Sequence, residues 1–143
     1  MGRRVFIGAV AGGLVAALFI TFAQQPAKVP RIGVLGNLKG HPLWEDFRRG
    51  LRELGYVDGR DIAMEWRFAE GKPDRFPALA IELVQMKVDL IVASGTEAAQ
   101  AAKQAASSIP IVMTNSAFPD KIGLVESLAH PGGSVTGLSN VGP

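Results

Sequence analysis

A doubly wound α/β fold, a parallel five-stranded sheet in the order 2-1-3-4-5, is predicted by three features of the sequence. Five short apolar runs of strand length recur along it, at residues 31–36, 61–68, 88–93, 109–114 and 134–138. Segments with helical periodicity lie between successive runs, and Gly, Pro, Asn and Asp punctuate the junctions. Strict alternation of strand and helix calls for right-handed crossovers and helices on both faces of one sheet.

The first run, 31–36, is apolar and ends in Gly36, as suits a strand buried on both faces. Over 41–54, Leu43, Phe47, Leu51 and Leu54 form one helical stripe, while Glu45, Asp46, Arg48, Arg49, Arg52 and Glu53 occupy the other faces, and Gly55 caps the end. The turn Asp58-Gly59 leads into 61–68, where apolar and charged residues partly alternate, the mark of a strand nearer the sheet edge. After the break at 71–74, Phe76, Leu79, Ala80, Leu83 and Val84 predict a helix reaching about Lys87, with Pro77 tolerated in its first turn. Residues 88–93 give the third strand, and the alanine-rich stretch 96–107 a helix able to pack closely on the sheet. Residues 109–114 give the fourth strand, with Pro110 near its start. A short helix over 121–129 and a fifth strand over 134–138 complete the pattern.

Much of the chain after residue 29 resembles one family. The carrying segments are Pro-Arg-Ile-Gly-Val-Leu at 30–35, Phe-Arg-Arg-Gly-Leu-Arg-Glu-Leu-Gly-Tyr at 47–56, Ala-Glu-Gly at 69–71, residues 79–92, Ser-Gly-Thr at 94–96, Ile-Pro-Ile-Val at 109–112 and Leu-Ala-His-Pro-Gly-Gly-Ser-Val-Thr-Gly-Leu at 128–138. They are similar to the substrate-binding proteins of ABC transporters with the type I periplasmic-binding fold, including the branch for tryptophan and other aromatic amino acids. The resemblance implies two lobes closing on a solute, a membrane permease with its cytoplasmic ATPase as partner, and no catalysis. It makes this chain the N-terminal lobe, 31–143, ending at Pro143 about where the polypeptide crosses the hinge to a second, missing lobe.

Ligands of such sheets bind outside the carboxyl ends of the strands, near the switch point between strands one and three. Ser94, Gly95 and Thr96 stand where strand three becomes a helix, and hydroxyls and free N–H groups there suit a carboxylate. The resemblance assigns this place to the acidic end of an amino-acid-like solute; the plainer reading is that Ser94 or Thr96 caps the helix. Asn37, beyond strand one, and Thr114, Asn115 and Ser116, beyond strand four, fall on the same rim, where they act as uncharged hydrogen-bonding groups or as ordinary turn formers. Phe68 ends strand two and Trp44 begins the first helix; either can stack on an apolar ligand, although core packing is the simpler role for Trp44 and sheet packing for Trp66. His41 and His130 flank prolines at element ends and read as caps or solvated residues, with no partner at metal-ligand spacing. The basic face of Arg48, Arg49 and Arg52 reads as solvated and balanced by Glu45 and Glu53, with transporter docking the alternative. No residue is assigned to catalysis, a metal or a cofactor.

Residues 1–23 have the form of an export signal: Arg3 and Arg4, then a charge-free apolar run over 5–22. The arginine pair resembles a twin-arginine signal, with the general secretory route as the alternative. Thr21 and Ala23 suit cleavage near Gln24, with an uncleaved anchor as the competing reading; residues 24–30 are then a linker. The chain has no cysteine, so neither a lipid-acceptor thiol nor a disulfide, and the expected location is periplasmic. Its formal charge of +2 is that of Arg3 and Arg4; what remains is balanced, without the positive excess of a nucleic-acid binder. A nucleotide-dependent enzyme on the same sheet is disfavoured because residues 36–40 lack the G-x-G-x-x-G turn and no Walker A lysine is present. A receiver-like signalling domain needs an aspartate where strand three ends in Ser94.

Overall fold

A computed structural model describes residues 27–140; the export signal and the hinge crossing fall on residues 1–26 and 141–143, outside that range. The run at 31–36 forms β1 (Arg31–Gly36), flanked by β2 (Ala63–Phe68) and β3 (Leu90–Ser94), with β4 (Ile111–Ser116) and β5 (Val135–Ser139) beyond β3. The order is β2-β1-β3-β4-β5, every pair parallel, as the alternation predicts. Three helices connect them: α1 (Leu43–Glu53), α2 (Phe76–Gln85, after a 3₁₀ turn at Pro73–Arg75) and α3 (Thr96–Ala105). None of the described helices is long and apolar enough to cross a membrane.

The period-two geometry of β1 sends Leu35 to one face and Val34 to the other. On the first face Leu35, Ile91, Ala93, Ile111, Met113 and Val135 meet Leu79, Ala80 and Leu83 of α2 and the alanines of α3. The second face is narrower: Val34 and Val92 lie under Trp44 of α1, with Phe47, Met64, Trp66 and Phe68 packed around them. Trp44 is 4% exposed and makes edge contacts with Trp66 and Phe68 at 5.7 and 5.8 Å, which bears out the packing roles of both tryptophans.

α1 ends as its Gly55 requires. Gly55, at φ 89°, donates to the Arg52 carbonyl and Tyr56 to that of Leu51, the paired bonds of a Schellman cap. Edge strand β2 is tied to α2 by Arg67, whose Nε is 2.8 Å from Glu82 Oε2.

Two expectations are corrected. Residues 121–129 form turns, not a helix: Gly123 sits at φ 74°, and the segment is held instead by Lys103 Nζ donating to the carbonyls of Gly123 and Leu124 at 2.6 and 3.2 Å. Leu124 and Val125 still reach the core from this irregular loop. Strands three and four also start two residues later than predicted. Pro110 cannot donate to a ladder, so pairing of β4 begins at Ile111, whose N–H meets the Ser134 carbonyl, and Pro110 only accepts, from Ile91.

Asp89, just before β3, fixes the start of β1: its carboxylate accepts from the Arg31 amide at 2.8 Å and from Lys28 Nζ at 3.1 Å. The Arg31 amide above all, then Lys28, hold this carboxyl below its ordinary pKa. Its contribution to stability is therefore present above about pH 4 and is lost as pH falls through the lowered value. Asp89→Asn should lower the urea midpoint at neutral pH, with the gap to wild type closing as the buffer is taken to about pH 2. A gap of constant size would remove the ionic role. In the core, Leu83→Ala should cost about 3 kcal/mol in the same unfolding measurement, since Leu83 is fully buried with its methyls seated on Gly33.

Candidate functional site

Three chain segments leave the sheet at its carboxyl end beside the switch point, those after β1, β3 and β4. The first is shaped by hydrogen bonds to its neighbours. The Asn37 carbonyl accepts from Glu70 N at 2.6 Å, and its Oδ1 from Gly71 N at 2.9 Å. The Leu38 carbonyl accepts from the indole Nε1 of Trp44 at 2.9 Å. His41 Nδ1 accepts the N–H of Leu43, the first residue of α1, at 3.2 Å, although the N-cap position itself is Pro42, and its Nε2 is the ring atom left over.

The segment after β4 is shaped by a bulge. Between the pairs Ala93↔Met113 and Ser94↔Asn115, β4 advances two residues while β3 advances one; against β5 it again gains one between Met113 and Ser116. The extra residue breaks the two-residue alternation. It leaves Asn115 exposed and Ser116 buried, 1% exposed, where plain alternation from Ile111 and Met113 would bury residue 115.

A cleft of about 140 Å³ results, lined by Asn37, Leu38, His41, Leu43, Trp44, Ser94 and Asn115. Three predicted site residues, from three different strand ends, thus share one hollow. Gly95 lies beside it as the N-cap of α3, at φ 96°, a conformation that favours glycine. Neither Ser94 nor Thr96 caps that helix, which has no side-chain cap bond. Thr96 Oγ1 instead faces β4, 3.4 Å from Ser116 Oγ and accepting from Ala117 N at 3.2 Å. Thr96 and Ser116 thus form a latch between α3 and the end of β4. Thr114 Oγ1 is buried without a hydrogen-bond partner among the described residues, and Phe68 stacks on Trp66 at 6.0 Å within the aromatic cluster. The residues missed as cleft-lining are Leu38, His41 and Leu43; the glycines at 36 and 40 that bracket a turn beyond β1 were the available signal.

Larger open hollows exist around residues 131–134, but they adjoin Ser107, Ser134 and Pro110 at the amino ends of β4 and β5, away from the switch point. The basic face of α1 is largely spent on its own acids: Arg48 is 2.8 Å from Glu45 and lies 4.2 Å over the Trp66 ring, and Arg49 is 2.7 Å from Asp46.

A 2-1-3-4-5 parallel sheet with a hydrogen-bonding cleft at its switch point has the arrangement of the doubly wound α/β class, in which ligands are received beyond the carboxyl ends of the strands. The chain belongs to the ABC transporter substrate-binding protein family, whose model matches residues 41–143. It is 38% identical over 117 residues to a tyrosine-binding protein of Clostridioides difficile (strain R20291), covering 79% of this chain and 34% of that one. Among solved structures it is similar to a ligand-free, open substrate-binding protein with adhesive properties from Clostridium difficile (TM-score 0.72, 33% identity, 78% of this chain and 39% of that one). It is also similar to an ABC domain in complex with L-Trp from Streptococcus pneumoniae (TM-score 0.71, 32% identity, 78% and 39%). The chain therefore spans between a third and two fifths of the length of these relatives.

Two isosteric substitutions should move stability in opposite directions. Thr96→Val removes the latch and should lower unfolding free energy by about 1 kcal/mol; Thr114→Val removes a buried hydroxyl with no partner and should raise it by a similar amount. Chemical denaturation reads both, and equal signs for the two would contradict these assignments.

Proposed function

We propose that the chain is the solute-binding component of an ABC transporter, exported to the periplasm, and that its cleft receives an amino acid with an aromatic side chain. The observation that carries this reading is the convergence of Asn37, Ser94 and Asn115 from the ends of β1, β3 and β4 on one hollow. Tyrosine and tryptophan in the names of relatives more than 30% identical support the solute class.

The chemistry of the rim favours a carboxylate at one end of the solute. Because one lone pair of Asn37 Oδ1 is taken by the Gly71 amide, its side chain offers chiefly its N–H donors. His41, with Nδ1 accepting, offers Nε2–H when neutral. Ser94 adds a hydroxyl, and the uncapped N-terminus of α3 at Gly95 and Thr96 adds backbone N–H groups and the positive end of the helix dipole. Glu97, in the first turn of α3, partly offsets that end and tempers its attraction for anions. Leu38, Leu43 and the edge of Trp44 supply apolar wall for the rest of the solute. In this reading Thr96 and Ser116 hold the wall in shape, and Thr114 and Phe68 back it. Residues 31–143 are then one lobe, a second lobe supplies the opposite wall, and a permease with its ATPase takes the solute on. Binding proceeds by hydrogen bonds and closure, with no bond made or broken.

The test is a thermal-shift and calorimetric comparison of L-tyrosine, L-tryptophan and L-alanine, on this chain and on a form extended by the downstream reading frame. The aromatic amino acids should raise the Tm of the extended form, and Asn115→Ala in it should weaken binding about tenfold, the loss of one or two hydrogen bonds. No response to any amino acid in either form would overturn the reading.

A further inference from the structure

We propose that Trp44 is the positioning residue of the cleft: its indole N–H holds the 37–42 loop in the conformation that brings Asn37, Leu38 and His41 to the solute. Trp44 can do this because of where its ring is set. β1 ends in Gly36, and a Cβ at that position would collide with Trp44 Cζ2. The indole therefore rests directly on the β1 backbone, wedged by Trp66 and Phe68 at 5.7 and 5.8 Å. A ring fixed on two sides directs its single N–H to one point, the Leu38 carbonyl at 2.9 Å.

Leu38 is the pivot of the loop. Its carbonyl takes both the indole N–H and, at 3.4 Å, the His41 amide; the His41 carbonyl in turn accepts Trp44 N at 3.1 Å, and its Nδ1 the Leu43 N–H. Of these bonds the indole one is short and comes from a buried donor, whereas Leu38, Gly40 and His41 are themselves exposed. Three of the seven cleft residues hang on this turn. Without the indole donor, Leu38 O keeps only its long contact to His41, and the loop is held at its two ends alone, by the bonds of Asn37 and those of His41 to the first turn of α1.

The consequence for solute rests on the proposed function, but the pin itself can be read without solute. The chain has two tryptophans, so in a Trp66→Phe background benzothienylalanine can be placed at position 44 alone, replacing the indole N–H by sulfur in a ring of the same shape. Trp44→Phe is the second variant. Hydrogen–deuterium exchange of peptides covering 38–44 should quicken about fivefold in both, the loss expected for one neutral hydrogen bond. Exchange over β2, which the same ring packs against, should stay within twofold of Trp66→Phe, a pattern that general loosening of the core would not give. Unchanged exchange over 38–44 in the benzothienyl protein, or equal acceleration over β2, overturns the proposal. In the extended form, affinity for L-tryptophan should fall by a similar factor. Loss of binding in the wild type would strike the proposed function and leave the exchange result to decide the role of Trp44.

Discussion

Gly33 and Gly36 allow β1 to take a helix against each of its faces, and the rest of the fold is arranged around that double contact. Gly33 points toward α2, where the Leu83 methyls sit over the missing side chain; Gly36 points toward α1, where the indole of Trp44 does the same. A side chain at Gly36 would drive the indole off the strand, and one at Gly33 would press on the Leu83 methyls and make them shift. The close approach on the second face is also what brings Trp44 within reach of Leu38, so that a packing constraint in the middle of the sheet becomes a constraint on the loop at its rim.

The rim is built by two different devices on its two sides. Beyond β1 the backbone is held by donors from outside the loop, the Gly71 and Glu70 amides and the Trp44 indole. Beyond β4 the strand itself changes phase. The bulge moves Asn115 into the open and turns Ser116 under α3, where Thr96 meets it, and Gly137 of β5 accommodates the distortion because a Cβ there would collide with the Met113 carbonyl. A buried hydroxyl on Thr114 without a partner among the described residues is part of what this rearrangement costs. Bulges of this kind are a recognised way to re-aim a side chain beside a binding site.

The periodicities made the strands, the three helices and the buried face of α2 legible, because burial on two faces leaves a strong apolar signal at Val34, Leu35, Ile91 and Val92; on α1 the expected stripe was wrong, since Leu43 and Leu54 are exposed, Phe47 and Leu51 half-buried, and Trp44 is the residue that reaches the sheet. What failed to show was local. Residues 121–129 carry apolar residues at helical spacing, yet Gly123 at positive φ breaks the run and Lys103, remote in sequence, satisfies its carbonyls. The rim was legible as a set of strand ends, so Asn37, Ser94 and Asn115 could be named from the topology rule alone. The division of labour among them was not. A one-residue bulge leaves no mark in a run such as 111–116, and the hydroxyl of Thr96 satisfies a helix cap and an interstrand latch equally well on paper. His41 shows a similar double use: it bonds the first N–H of α1 through Nδ1 and lines the cleft, two roles that a single imidazole can fill at once.

That double use has a consequence for how the cleft discriminates. A rim group already committed to the fold has fewer hydrogen-bonding options left: the acceptor of His41 Nδ1 is spent, and one of the two lone pairs of Asn37 Oδ1 is taken. What they offer to a solute is donors, beside a helix end that offers more of them. A solute presenting acceptors there is satisfied, while one presenting an ammonium or a hydroxyl hydrogen leaves a donor facing a donor, which is costly once water is excluded. The proposed selectivity for a carboxylate end thus comes from bonds internal to the protein. Asn115, whose amide has no partner among the described residues, keeps both donor and acceptor for a group such as an amine, as the Ser94 hydroxyl does, and it owes that freedom to the bulge that exposes it.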